Sequence, residues 1–132
     1  NNTYVTCFNA GLDPVAYIET LPQESIVQMH LAGHQHCGTH IIDTHDRPVV
    51  SEVWELFRLA WNKTGGVSTL LEWDGNIPSF EACLAELHKA RSFMGQAAGE
   101  AKPEYTVPIT YDGVATPISF LVPQIMEDTV SN

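Results

Sequence analysis

Residues 25–34 read Ser-Ile-Val-Gln-Met-His-Leu-Ala-Gly-His, and the fold is decided there. The run is short, apolar and stopped at Gly33, the pattern of a buried β-strand, with His30 where strand gives way to loop. Residues 32–47 show no period and are crowded with His, Asp and Gly, which predicts a long loop. Pro48 opens the next element: Val50, Val53, Trp54, Phe57, Ala60 and Trp61 recur at helical spacing, and Gly65-Gly66 ends the pattern. Those aromatic residues read as core. Thr69-Leu-Leu-Glu-Trp73 is a second buried strand, broken by Asp74-Gly75. Pro78 starts a further helix, with Phe80, Cys83, Leu84, Leu87 and Arg91 along one face; Glu81, Glu86 and Lys89 read as a solvated face, and His88 as surface.

Upstream, Tyr4–Phe8 is a run of β-formers, and Asp13-Pro14 supplies an N-cap and an N1 proline for a helix over 14–21. Strand then helix, three times over, predicts an α/β fold with parallel strands and right-handed crossovers. Three such units cannot close a barrel, and their strands would keep exposed edges. The expectation is that partner strands precede these units or lie on another chain. Residues 1–94 form this α/β part. Residues 95–103 are small and polar and read as a linker, and 104–132 as a C-terminal extension. Within it, Tyr105–Tyr111 and Val114–Val122 flank Asp112-Gly113 as a β-hairpin, and 126–132 read as a frayed tail.

Composition narrows the function. Six Lys and Arg stand against 16 Asp and Glu, a formal charge of −10 over 132 residues, with no basic cluster. That disfavours a nucleic-acid partner and suits hard cations where carboxylates converge. No apolar run is long enough to span a bilayer, and no signal peptide is visible at Asn1–Val5. Cys7, Cys37 and Cys83 are too few and too scattered for a disulfide framework, which predicts a reducing, cytoplasmic setting.

Five of the six histidines (His30, His34, His36, His40 and His45) fall within sixteen residues, with Asp43 and Asp46 among them. In parallel α/β folds the C-terminal ends of the strands share one side, and that side carries the active site. His30, Glu72 and the 43–46 loop would therefore converge. Imidazole and carboxylate donors with no thiolate motif point to Fe, Mn or Zn in an open site. Simpler readings stand beside this one. A histidine at a strand end is commonly a hydrogen-bonded structural residue. Asp46 has Arg47 as an adjacent partner, and a solvated loop accounts for His34, His36 and His40. Glu72, between Leu71 and Trp73, resists such a reading, because a desolvated carboxylate needs a cation or several donors. Cys37 between His36 and His40 has no signature of a Cys–His nucleophile.

Taken in order, Asn1-Asn2-x-Tyr4-Val5, Asp13-Pro14-x-x-Tyr17, His30-Leu-Ala-Gly-His34, Asp43-Thr-His45-Asp46 and Leu71-Glu72-Trp73-Asp74 resemble the C-terminal part of the multinuclear non-haem iron-dependent oxidases, over residues 1–93. The resemblance implies the last units of a TIM (β/α)8 barrel, with residues 25–31 on strand seven and 69–73 on strand eight. It implies metal ligands at Asn2, His30, Asp43, His45 and Glu72, with His34, Asp46 and Asp74 as supporting or substrate-facing residues. Two or three iron ions would sit in the complete barrel. The implied activity is dioxygen-dependent oxidation of a peptide, often at cysteine, with a small protein delivering the substrate. The ligands of earlier strands have no counterpart here, so this chain alone would hold part of the site. Two other readings stay open. One is a Zn- or Mn-dependent TIM-barrel isomerase or hydrolase of the sugar-isomerase or phosphodiesterase type. The other is a non-catalytic binding module.

Overall fold

The computed structural model describes residues 1–94, 106–111 and 114–119. The chain divides into two compact units, Asn1–Ala98 and Gly99–Asn132. The linker expected over 95–103, the Asp112-Gly113 turn and the tail 126–132 lie outside the described residues.

The first unit is a mixed α/β arrangement built on two parallel strands, β1 (Gln28–Leu31) and β4 (Ser68–Leu71), paired from Gln28 with Ser68 to Leu31 with Leu71. The Glu72 N–H extends the pairing to the Leu31 carbonyl at 2.7 Å. Between the strands runs α3 (Ser51–Thr64), whose buried stripe is Val53, Trp54, Phe57 and Ala60. After β4 comes α4 (Phe80–Phe93), capped by the Ser79 hydroxyl, which accepts from the Ala82 N–H. Leu31, Val49, Val53, Trp54, Phe57 and Ala90 form the core. The Trp54 ring stacks on Phe93 at 5.2 Å and meets Phe57 edge-on at 6.0 Å, joining α3 to α4. The expected aromatic core on the helix after Pro48 is present. Likewise the helix expected after Asp13 forms as α2 (Pro14–Thr20), with the Asp13 carboxylate accepting from the Val15 N–H at 2.9 Å.

Three expectations are corrected. Tyr4–Phe8 is not a strand: it lies in helix α1 (Asn2–Ala10). Among the described residues, two strands of the expected three therefore stand in the parallel sheet. β-Propensity spans only about 1 kcal/mol and yields to packing. Here Val5 and Cys7 are buried by the helix, Tyr4 and Phe8 meet one turn apart, and left-handed Gly11 terminates it. The Asn9 amide also bonds both main-chain groups of Ile41, at 2.8 and 2.9 Å, tying α1 to the following loop.

That loop is the second correction. Within 32–47, β2 (Gln35–His36) and β3 (Ile41–Ile42) pair antiparallel, a ladder too short to leave a period in the sequence. Third, α4 turns a different face inward. Glu86 is 3% exposed, whereas Phe80 is 75% exposed and Leu84 and Leu87 are also exposed. The Glu86 carboxylate accepts from the Val49 N–H at 2.9 Å and pairs with Lys89 at 2.5 Å, pinning α4 to the segment that enters α3. Glu86→Ala strands the Val49 donor, so chemical denaturation is expected to show a loss of about 2–3 kcal/mol. Glu86→Gln keeps an oxygen acceptor and is expected to lose less.

In the second unit, β5 (Thr106–Tyr111) and β6 (Val114–Ser119) pair antiparallel, with Tyr111 opposite Val114 and Pro108 opposite Pro117. Among the described residues no helix is long and apolar enough to cross a membrane.

Candidate functional site

Strand periodicity and strand ends build the site. Gln28 and His30 are two apart on β1 and therefore share a face. Glu72 directly follows β4. The loop carrying Asp43 and His45 is locked across both strand ends through the main chain of His45. Its N–H donates to the Gly33 carbonyl beyond β1 at 3.1 Å, and its carbonyl accepts from the Asp74 and Gly75 N–H groups beyond β4 at 2.8 and 3.2 Å. His45 adopts a left-handed conformation, φ 50°. For a residue with a side chain this costs about 1–3 kcal/mol, and such strain collects at functional positions. The three main-chain bonds offset it.

Glu72 lies between the two imidazoles: its Oε1 is 2.5 Å from His30 Nδ1 and its Oε2 is 3.4 Å from His45 Nδ1. Nε2 of His45 is 2.9 Å from Asp43 Oδ1, and its Nδ1 is 3.0 Å from Asp74 Oδ2. Asn2 donates to the second Asp43 oxygen at 3.1 Å. Each imidazole thus has one nitrogen held from outside, His30 Nε2 by the Gln28 amide oxygen at 3.2 Å and His45 Nδ1 by Asp74. The other nitrogen, His30 Nδ1 or His45 Nε2, faces a carboxylate of the cluster. Burial acts to lower the His45 pKa, but the Asp74 hydrogen bond and the charges of Asp43, Glu72 and Asp74 outweigh it, and the net direction is up. Three carboxylates against at most two imidazolium charges leave the site electronegative. Asn2, His30, Asp43, His45 and Glu72 line one cavity of about 620 Å³ whose remaining wall is mostly apolar, including Ile18, Leu21, Met29 and Phe57, with Thr3, Ser25 and Gln28 among its polar members.

Among the described residues no three His, Cys, Asp or Glu stand as a ready coordination shell. The donors are paired with one another. Their chemistry, two imidazoles and two inward carboxylates with an amide and no thiolate, fits a non-haem iron site or another borderline cation.

The other singled-out residues part company. His34 is buried, stacked on Tyr4 at 5.3 Å and bonded through Nδ1 to the Asn1 amide oxygen at 2.9 Å. Burial lowers its pKa, against the raising effect of Asp43. Asp46 turns away from the cluster, accepting from Thr44, Arg47 and Asn76. Asp46 is held well below the carboxylate range, first by the Arg47 hydrogen bond and then by that of Thr44. Exposed His36 and His40 bond locally, to the Gly38 N–H and the Thr39 hydroxyl, and take no part in the cluster. Gln28 is a contributor that pattern reading did not single out, and Asn1 enters that reading only as the neighbour of Asn2 in the Asn1-Asn2 motif. Gln28 had a usable signal in its two-residue offset from His30 on a strand.

A family model described as RiPP precursor modification enzyme MbnB/TglH/ChrH matches residues 1–95. A UPF0276 protein of Acaryochloris marina is 42% identical over 96 residues, covering 73% of this chain and 35% of the relative. A UPF0276 protein of Rhizorhabdus wittichii is 45% identical over 91 residues, covering 69% and 33%. One of Caulobacter vibrioides is 42% identical over 92 residues, covering 70% and 33%. The chain spans about a third of the length of the curated relatives it matches. No solved structure matches the chain.

Proposed function

The chain belongs to the MbnB/TglH/ChrH family of RiPP precursor modification enzymes, and on that premise we propose that it carries the strand-seven and strand-eight part of an iron centre that oxidises a precursor peptide. The observation carrying the reading is the convergence of His30, Asp43, His45 and Glu72, with Asn2, on one cavity at the C-terminal ends of two parallel strands. Those are the residues that would hold the metal. The remaining strands of a (β/α)8 barrel complete the site, and a small partner protein delivers the peptide.

Bound iron supplies one-electron chemistry with dioxygen, directed at a cysteine of the peptide. The chain's own residues prepare that chemistry. Gln28 and Asp74 contact the outer nitrogens of His30 and His45, which would leave Nδ1 of His30 and Nε2 of His45, each now against a carboxylate oxygen, to give a lone pair to a bound cation. Asp43 and Glu72 balance cationic charge. The apolar part of the cavity wall supplies a surface against which a peptide side chain could pack beside the cluster.

The test is metal content by inductively coupled plasma mass spectrometry on the protein carrying the complete barrel, purified without chelators. Iron is expected in excess of zinc and manganese, and is expected to be lost in His45→Ala. Oxygen uptake on adding a cysteine-containing precursor peptide is expected to vanish with it. No bound metal, or zinc alone with no oxygen uptake, overturns the reading.

A further inference from the structure

We infer that His34 is a positioning residue that fixes the Asn1 amide and, through it, the orientation of the Asp43 carboxylate. The inference rests on the reading above that Asp43 serves the metal centre. The geometry is a three-residue relay. Nδ2 of Asn1 faces two acceptors, Asp43 Oδ1 and, at 3.4 Å, the Gly33 carbonyl, so its Oδ1 is the atom turned to His34. His34 Nδ1, 2.9 Å away, must then be the donor, because an amide oxygen cannot give a proton. Reversing the amide would set its oxygen against a carboxylate and a carbonyl at once.

His34 is itself immobile: it is 6% exposed and its ring lies on Tyr4. With Asn1 on one Asp43 oxygen and Asn2 on the other, the carboxylate has a single orientation in which Oδ1 also faces His45. Losing an outer partner of this kind typically costs 10- to 100-fold in metal affinity.

The test pairs iron(II) binding with nuclear magnetic resonance of the metal-free, 15N-labelled protein. Wild type is expected to show His34 protonated at Nδ1 and slowly exchanging Asn1 side-chain amide protons. His34→Phe keeps the ring on Tyr4 and removes the donor. It is expected to retain the thermal midpoint within a few degrees, to bind iron(II) about 10- to 100-fold more weakly, and to lose the Asn1 amide protection. His34→Asn places an amide donor near the Nδ1 position and is expected to restore both; His34→Gln, with its donor displaced outward, is not. Should His34→Phe fail to fold, the Asn and Gln contrast decides. Unchanged Asn1 exchange and unchanged iron affinity in His34→Phe overturn the inference. If wild type binds no iron(II), the metal reading falls, and the relay is judged on Asn1 exchange alone: loss in His34→Phe with rescue in His34→Asn supports it, and no change overturns it.

Discussion

Gly33→Ala is expected to lower the free energy of unfolding by about 3 kcal/mol, the upper part of the range for inserting atoms into a packed site, and to abolish metal binding in the same variant. A Cβ at Gly33 would lie 2.1 Å from the Arg47 carbonyl oxygen and 2.5 Å from that of Pro48. Both obstacles are backbone, so no side chain can swing aside. Relief requires moving residues 43–48 away from the end of β1. That movement breaks the bond from the His45 N–H to the Gly33 carbonyl and carries Asp43 and His45 away from His30 and Glu72. Stability and binding fall together because one carbonyl serves both. Urea unfolding and iron content on the same preparation measure the two effects, and a variant that keeps either at the wild-type level contradicts the account.

Glu72→Ala is expected to separate what Gly33→Ala couples. The carboxylate reaches both imidazoles, and its loss should reduce iron affinity by at least the roughly 100-fold at the upper end for outer partners alone. Unfolding should change by less than about 1 kcal/mol, since the lost pairs are partly exposed and such pairs contribute little. The structural role of this position lies in its backbone: the Glu72 N–H to Leu31 bond survives any side chain but proline. Glu72→Gln keeps the shape without the charge and is expected to fall between. A wild-type iron content in Glu72→Ala, at unchanged stability, would remove Glu72 from the proposed ligand set.

The parts of this arrangement that were legible in sequence are those written in local chemistry. Asp13-Pro14 announces its helix. The spacing of Val53, Trp54, Phe57 and Ala60 announces the core of α3. His30 and Glu72 are legible because polar residues ending apolar strands need a reason to be there. The rest depends on contacts far apart in the chain. Helix α1 forms from residues that favour strands because it buries Val5 and Cys7 and because Asn9 finds its partner Ile41 some thirty residues away. Glu86 is a charge buried for the sake of a distant N–H. The left-handed backbone of His45 carries no sequence mark, since histidine is not glycine, and only the ends of two strands hold it there.

The facing prolines of the second unit have a consequence of their own. Two residues separate Tyr111 from Val114, and such a connection makes that pair hydrogen-bonded, with bonded and non-bonded pairs alternating outward. Pro108 and Pro117 then form a non-bonded pair, where each main-chain nitrogen points to the outer rim of its strand. Neither nitrogen carries a hydrogen, so both rims of the hairpin lack a donor at the same rung. An extended chain arriving at either side finds an interrupted template, and the ribbon is guarded against stacking with its own copies into amyloid-like fibres.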